Sequence, residues 1–256
     1  MIKNIYFCCY CYIGGVLVAC CPHGIVYGMK FLLRGESPRD HVDLLLSMRH
    51  QPTLHICDIP NMVALHGNKR KGQMYHPNQG RFCEYTESNI EKAKSGKLLL
   101  DIPDLNFSCS VFLPSTQDHS YSEGNMHPVA RTRSHFCAFD RFHEGNSKLE
   151  KDILRRLDIV KQTRAAINSQ VVEELFSYLQ KSRYFLTQFD PVCHIFVVRL
   201  LLHLRNKRMN YQRLQSVQQK MADAIPGCVI SFSADMRMVM EAKGMVILEV
   251  YAMPFV

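Results

Sequence analysis

Apolar residues follow two rhythms along this chain, a strand-like one early and a helical one late. Val16, Leu17, Val18 and Ala19, then Ile25, Val26 and Tyr27 and the run Met29 to Leu33, flank a Cys21-Pro22-His23-Gly24 step. Short apolar runs around such a step predict two buried strands closed by a turn. Ser37 as N-cap, Pro38 as first helical residue and Asp40 in the first turn then mark a helix start, with Val42, Leu45 and Leu46 as its apolar stripe. Thr53 to Ile59 is a short β-rich run that reaches a carboxylate, Asp58, just before Pro60, and His135 to Asp140 repeats that arrangement. Strand, strand, helix, strand is the opening of an α/β domain.

Beyond Asp140 the helical period takes over. Ile153, Leu154, Leu157 and Val160 form one stripe, and Val171, Val172, Leu175, Phe176 and Leu179 a second. Residues 192 to 204 are apolar nearly all round, which predicts a buried helix. After about residue 221 the pattern fails, although Met236, Met238, Met240 and the Val246 to Val250 run suit strands. Residues 67 to 135 lack periodicity, are rich in Gly, Asn, Ser, Pro and His, and carry the basic knot Lys69-Arg70-Lys71; they read as a long irregular insertion. The chain therefore divides into an N-terminal α/β part (13–66), an insertion (67–135), a strand with helices (136–206) and a tail (207–256).

Composition narrows the class. With 256 residues, 47% of them hydrophobic, the chain can bury a sizeable core, and wholesale disorder is excluded. Eleven cysteines, an odd number and mostly scattered, describe buried thiols in a reducing compartment rather than a disulfide scaffold. The net charge of +8 is uneven: from Lys161 to Lys220 there are ten Lys and Arg against Glu173, Glu174 and Asp190. Such a surplus suits either an anionic partner such as DNA, reached through Arg183, Arg199, Arg205, Lys207 and Arg208, or a plain solvated helix face. No small-molecule substrate is expected. The uncharged stretch from Ile5 to Cys21 sits at the lower limit for a membrane span and imitates a secretory signal. Gly14-Gly15 and the interspersed tyrosines favour the hairpin, leaving a membrane-anchored interaction protein as an alternative class.

Three carboxylates occupy positions suited to metal-dependent phosphoryl chemistry. Asp58 and Asp140 each end an expected strand, and Glu173 lies on an expected helix. Hard oxygen ligands of this kind hold Mg²⁺ or Mn²⁺, and a metal pair would activate water and stabilise the leaving oxygen in cutting a phosphodiester. Phe139 to Asn146 packs Asp140, Arg141, His143, Glu144 and Asn146 together, and His143 there suits proton transfer or metal ligation as well as a plain structural hydrogen bond. Cys20, Cys21, His23, Cys57 and His66 are a conceivable zinc set, but no Cys-x-x-Cys has a matching second half, so zinc is not expected. A phosphate-binding Gly-rich loop with Lys-Ser/Thr and a Gly-x-Ser-x-Gly elbow are both absent.

Three segments, in order, resemble transposases of the KDZ group (Kyakuja, Dileera and Zisupton elements). Gly14 to Gly24 is similar to that group's small-residue strand followed by Cys-x-His-Gly, His55 to Ile59 to its Tyr-Asp-Ile strand, and Asn168 to Ser177 to its Glu-bearing helix. Lys30 to Ser47, Phe139 to Asn146 and Tyr184 to Leu186 extend the likeness to roughly residues 13 to 206, closest to transposase-derived regions carried by larger host proteins. The resemblance implies an RNase-H-like core with an Asp-Asp-Glu metal site for DNA strand transfer, in a nuclear or cytoplasmic setting. It matches Asp58 to the family's second aspartate and Glu173 to its glutamate, with Asp140 and His143 on a separate His-containing motif. The first aspartate would precede the hairpin on a strand this chain lacks, for nothing from Met1 to Cys21 is acidic. Pro60 and Asn61 stand where the family often has Cys, and Glu174 where it has Gln or Arg. The expectation is an N-terminally incomplete sheet and a truncated, catalytically inactive DNA-binding domain. The alternative is an active Mg²⁺- or Mn²⁺-dependent transposase or nuclease using Asp58, Asp140 and Glu173.

Overall fold

The structure is a computed structural model that describes residues 2–5, 15–48, 51–105, 134–145, 147, 149–164, 167–168, 170–224, 228–232, 237–242 and 245–251. The described residues form two compact units, divided between Val198 and Arg199. The architecture is mixed α/β with small sheets.

In the first unit β1 (Ile2–Ile5), β2 (Gly15–Cys20) and β3 (Val26–Leu32) make an antiparallel sheet with β2 in the middle. The expected hairpin is present: the Cys21 N–H donates to Ile25 O, the Gly24 N–H donates to Cys21 O, and Gly24 takes φ +82°, which favours glycine. Every residue of β2 is buried, whereas β3 is half-buried over most of its length. A strand ahead of the hairpin, expected to be missing, is there: β1 pairs with β2 from Ile2 opposite Ala19 to Ile5 opposite Val16. It covers the edge that an incomplete sheet would expose. Of the stretch read as a possible anchor, Gly15–Cys20 is a buried strand and residues 6–14 lie outside the described residues; among the described residues no helix is long and apolar enough to cross a membrane.

α1 (Pro38–Leu46) begins where the sequence says. The Asp40 carboxylate accepts from the Ser37 N–H at 3.1 Å and from the Ser37 hydroxyl at 2.6 Å, closing the first turn. Its buried face is His41, Val42, Leu44 and Leu45; Leu46, assigned to the stripe from spacing, is exposed. β4 (Leu54–Cys57) leads through Asp58 into α2 (Pro60–Lys71), which carries the basic knot in its last turn. β5 (Phe136–Phe139) pairs parallel to β4, with Leu54 opposite Phe136 and His55 opposite Cys137. β1 lies alongside β4. Leu17, Ala19, Leu32, Val42, Leu45, Cys57, Val63, Ala64, Met74, Tyr75 and Cys137 form one buried cluster beneath α1 and α2. At about 1.5–3 kcal/mol for each fully buried aliphatic side chain, this cluster is the chief stabilising element of the unit.

Residues 67 to 105 look irregular in sequence but hold the rest of α2, α3 (Glu87–Lys94) and two 3₁₀ turns. They are tied to the core by buried groups. The Tyr75 N–H donates to Asn68 Oδ1, and the buried Arg155 guanidinium donates to Cys137 O and Gln79 O, each at 2.9 Å. The stripe of Leu154, Leu157 and Val160 is fully buried but lies on 3₁₀ turns over 150–155 and 157–159 rather than an α-helix. α4 (Lys161–Arg164) follows, and then α5 (Val171–Gln180), whose five expected apolar residues are all buried and which lies against β1 and β2. α6 (Arg183–Leu186) precedes α7 (Pro191–Ala224). α7 is not the buried helix expected from its composition. His194, Val198 and Leu202 are buried, while Val192, Phe196, Leu200 and Leu204, spaced four apart, are exposed. The second unit ends in an antiparallel sheet of β6 (Cys228–Phe232), β7 (Arg237–Ala242) and β8 (Met245–Tyr251) in that order; the strands suggested by Met238, Met240 and the 246–250 run are present, and Met236 lies outside the described residues.

Candidate functional site

Parallel pairing places the C-terminal ends of β4 and β5 side by side, so the residues that follow each strand meet. Asp58 follows β4 and Asp140 follows β5, whose backbone N–H donates to Cys57 O at 3.3 Å. One ligand atom from each of Asp58, Asp140 and His143 lies within 4.8 Å of the other two. Asp140 sits at the base, 1% exposed; Asp58 and His143 form the rim at 26% and 21%. That grading leaves the cluster open to an ion from solvent.

A tight turn builds the cluster. The His143 N–H donates to Asp140 Oδ1 at 2.8 Å, and His143 Nδ1 lies 2.9 Å from Asp140 Oδ2 and 3.4 Å from Asp58 Oδ1. A carboxylate only accepts, so without an ion Nδ1 carries the proton that faces the two carboxylates, and an ion bound there would take that proton's place. Phe142 packs edge-on against the imidazole, and the Arg141 guanidinium donates to Thr163 O at 3.1 Å, fixing the turn from outside. Glu144 Oε2 is buried without a hydrogen-bond partner, and burial, then Asp158, raises its carboxyl above the ordinary value. Asn146 lies outside the described residues.

Two carboxylates and an imidazole suit one divalent ion with further sites left to water; Mg²⁺ prefers the oxygens, and Mn²⁺ also takes the ring nitrogen. A two-metal centre, with ions about 4 Å apart, needs more anionic oxygen than this cluster contains. Glu173 stands in the first turn of α5 with its Oε2 buried, but it is not a member of the cluster. β1, the strand beside β4, reads Ile-Lys-Asn-Ile and contributes no acid.

The remaining sequence candidates separate. Arg183, Arg199, Lys207 and Arg208 are exposed. Arg205, the fifth residue of that set, is buried at 9% exposure, unlike the other four. Cys20, Cys21, His23, Cys57 and His66 do not gather as a metal site among the described residues. Cys57 groups instead with His41 and His55, all three buried. No sequence spacing signals that cluster, because His41 comes from a helix and the other two from alternate positions of a strand.

The chain is similar to HMG domain-containing protein 3 of Homo sapiens, at 37% identity over 126 residues, a match covering 46% of this chain and 9% of that protein. The chain thus spans less than a tenth of the length of that curated relative. No protein-family pattern matches it. No solved structure matches it either.

Proposed function

We propose that this chain is a transposase-derived DNA-binding domain on an RNase-H-like core, retaining one divalent-cation site and no longer cutting DNA. The observation that carries the reading is the meeting of Asp58, Asp140 and His143 at adjacent parallel strand ends while β1 supplies no acid. The antiparallel sheet β1–β2–β3 and the separate parallel pair β4–β5, with β1 near β4, supply the strand directions such a core combines. The likeness to part of a protein named for an HMG domain fits a nuclear setting. DNA affinity on this reading comes from phosphate contacts by Arg183, Arg199, Lys207 and Arg208. A single cation on two carboxylates lacks the second ion that clamps attacking and leaving oxygens together, and on this reading strand cutting is lost with it.

The second reading, an active Mg²⁺- or Mn²⁺-dependent nuclease, is favoured by the convergence of Asp58 with Asp140. One experiment separates the two. The full chain is incubated with supercoiled plasmid in Mn²⁺ or Mg²⁺, and binding to a labelled duplex is followed by anisotropy against salt. If each of the four exposed cations neutralises one phosphate, log Kobs falls with a slope of about −3.6, roughly a 150-fold loss between 50 and 200 mM salt. The proposal expects that slope with intact plasmid. Nicking abolished by Asp140→Asn establishes the enzyme instead, and a flat salt response removes DNA as the partner.

A further inference from the structure

Beneath the strand ends, on the face of β4 and β5 that α1 and α2 cover, four polar side chains meet in the core. His55 and Cys57 are two apart on β4 and therefore share a face; Cys137 stands opposite His55 in the parallel register. α1 brings His41 against them, with the two imidazole centroids 5.7 Å apart. Exposure is 0% for His41, 2% for His55, 1% for Cys57 and 0% for Cys137. Burying two imidazoles and two thiols together is costly unless their polar atoms are satisfied.

The hydrogen bonds leave a pattern. His41 Nε2 pairs with Glu36 Oε1, and its Nδ1 has no partner. His55 Nδ1 lies 3.0 Å from the Tyr75 hydroxyl and 3.5 Å from Cys137 Sγ, and its Nε2 has no partner. A side-chain hydrogen bond links the Cys57 and Cys137 thiols. Each ring is thus held at one nitrogen by an oxygen and keeps the other bare, the arrangement in which histidines are oriented for metal by an outer carboxylate or hydroxyl. One ligand atom from each of His41, His55 and Cys57 lies within 4.8 Å of the other two.

We propose that His41, His55, Cys57 and Cys137 form a closed structural site for Zn²⁺. Two nitrogens and two sulfurs are a standard tetrahedral set for this ion, and two thiolates cancel its charge, which suits a buried position. Tetrahedral bonds of about 2.0 Å to nitrogen and 2.3 Å to sulfur put ligand atoms about 3.3–3.8 Å apart, so His41, His55 and Cys57 contract by about 1 Å and the Cys137 thiol, which is outside that group and lies by His55 Nδ1, turns in to complete the set. The site is distinct from the Asp58–Asp140–His143 cluster, whose ligands are harder and open to solvent. Its ion cross-links α1 to β4 and β5, and through Cys57 it fixes the strand end from which Asp58 projects.

The test uses the full chain, purified under reducing conditions. Elemental analysis is expected to give one zinc per chain. X-ray absorption at the zinc edge on the unmutated protein should show a shell of two nitrogens and two sulfurs. Replacement by Co²⁺ should give visible bands with sulfur-to-metal charge transfer that Cys57→Ser abolishes and the exposed-thiol control Cys193→Ser retains. Should Cys57→Ser fail to fold, the absorption shell of the wild type decides alone. A chain without zinc after supplementation, a shell of four sulfurs, or a cobalt spectrum unchanged in a folded Cys57→Ser overturns the proposal.

Discussion

Asp43 is the junction of a charged latch across three elements, and its removal tests how α1 and α2 are held over the core. Lys30 Nζ from β3 lies 2.6 Å from Asp43 Oδ2 and 2.9 Å from Asp40 Oδ1, and Arg70 from the last turn of α2 donates to Asp43 Oδ1. The Lys30 hydrogen bond, working against desolvation and helped by Arg70, holds the Asp43 carboxyl at about 2 against an ordinary 3.8. A displacement of that size corresponds to about 2.4 kcal/mol. The side chain is 24% exposed, and solvent screening reduces the usable part to about 1 kcal/mol. A carboxyl whose folded pKa lies below its unfolded value stabilises above the unfolded pKa. The contribution is therefore complete above pH 3.8 and is lost as the pH falls toward about 2. Asp43→Asn should lower stability by about 1 kcal/mol at pH 7, a urea midpoint shift of about 0.4 M for a slope of about 2.5 kcal/mol/M. Repeated down to pH 2, the difference between wild type and variant should shrink toward zero. A difference that persists at pH 2, or none at pH 7, would refute the latch.

Other expectations follow from particular contacts. A methyl group at Gly67 would meet Met74 Sδ at 2.8 Å and Tyr75 Cε2 at 2.9 Å, so Gly67→Ala should cost about 1–3 kcal/mol in calorimetry. Leu175 is 0% exposed on α5, and Leu175→Ala should destabilise by about 2–5 kcal/mol; a loss under 1 kcal/mol would mean α5 is not docked. Lys207→Ala with Arg208→Ala should make the salt slope of DNA binding shallower by about 1.8 at unchanged thermal stability. Arg205→Ala, by contrast, should lower thermal stability, because that side chain is buried.

What the sequence made legible was local. Ser37, Pro38 and Asp40 announce α1 because capping is decided within one turn, and Gly14-Gly15 with Pro22-His23-Gly24 bracket β2 for the same reason. β1 escaped because a four-residue strand gains its identity only from pairing with β2. Leu154, Leu157 and Val160 repeat every three residues, a spacing that fits a 3₁₀ turn as well as an α-helix. Pro60 is the first residue of α2, a helix start that the Asp58–Pro60 step does not announce by a capping side chain. Val192, Phe196, Leu200 and Leu204 show that hydropathy states what a helix could bury and not what packs against it. The strand-end positions of Asp58 and Asp140 were legible, and parallel pairing brought them together. The His41–His55–Cys57 grouping was not, since it exists only once α1 lies on β4.

The most direct measurement is Mn²⁺ binding to the full chain by calorimetry, in wild type, Asp58→Asn, Asp140→Asn and Glu173→Gln. One ion per chain, lost in each aspartate variant and retained in Glu173→Gln, is the predicted result. Binding that survives both aspartate substitutions, or that also disappears with Glu173→Gln, would contradict a site built from Asp58, Asp140 and His143.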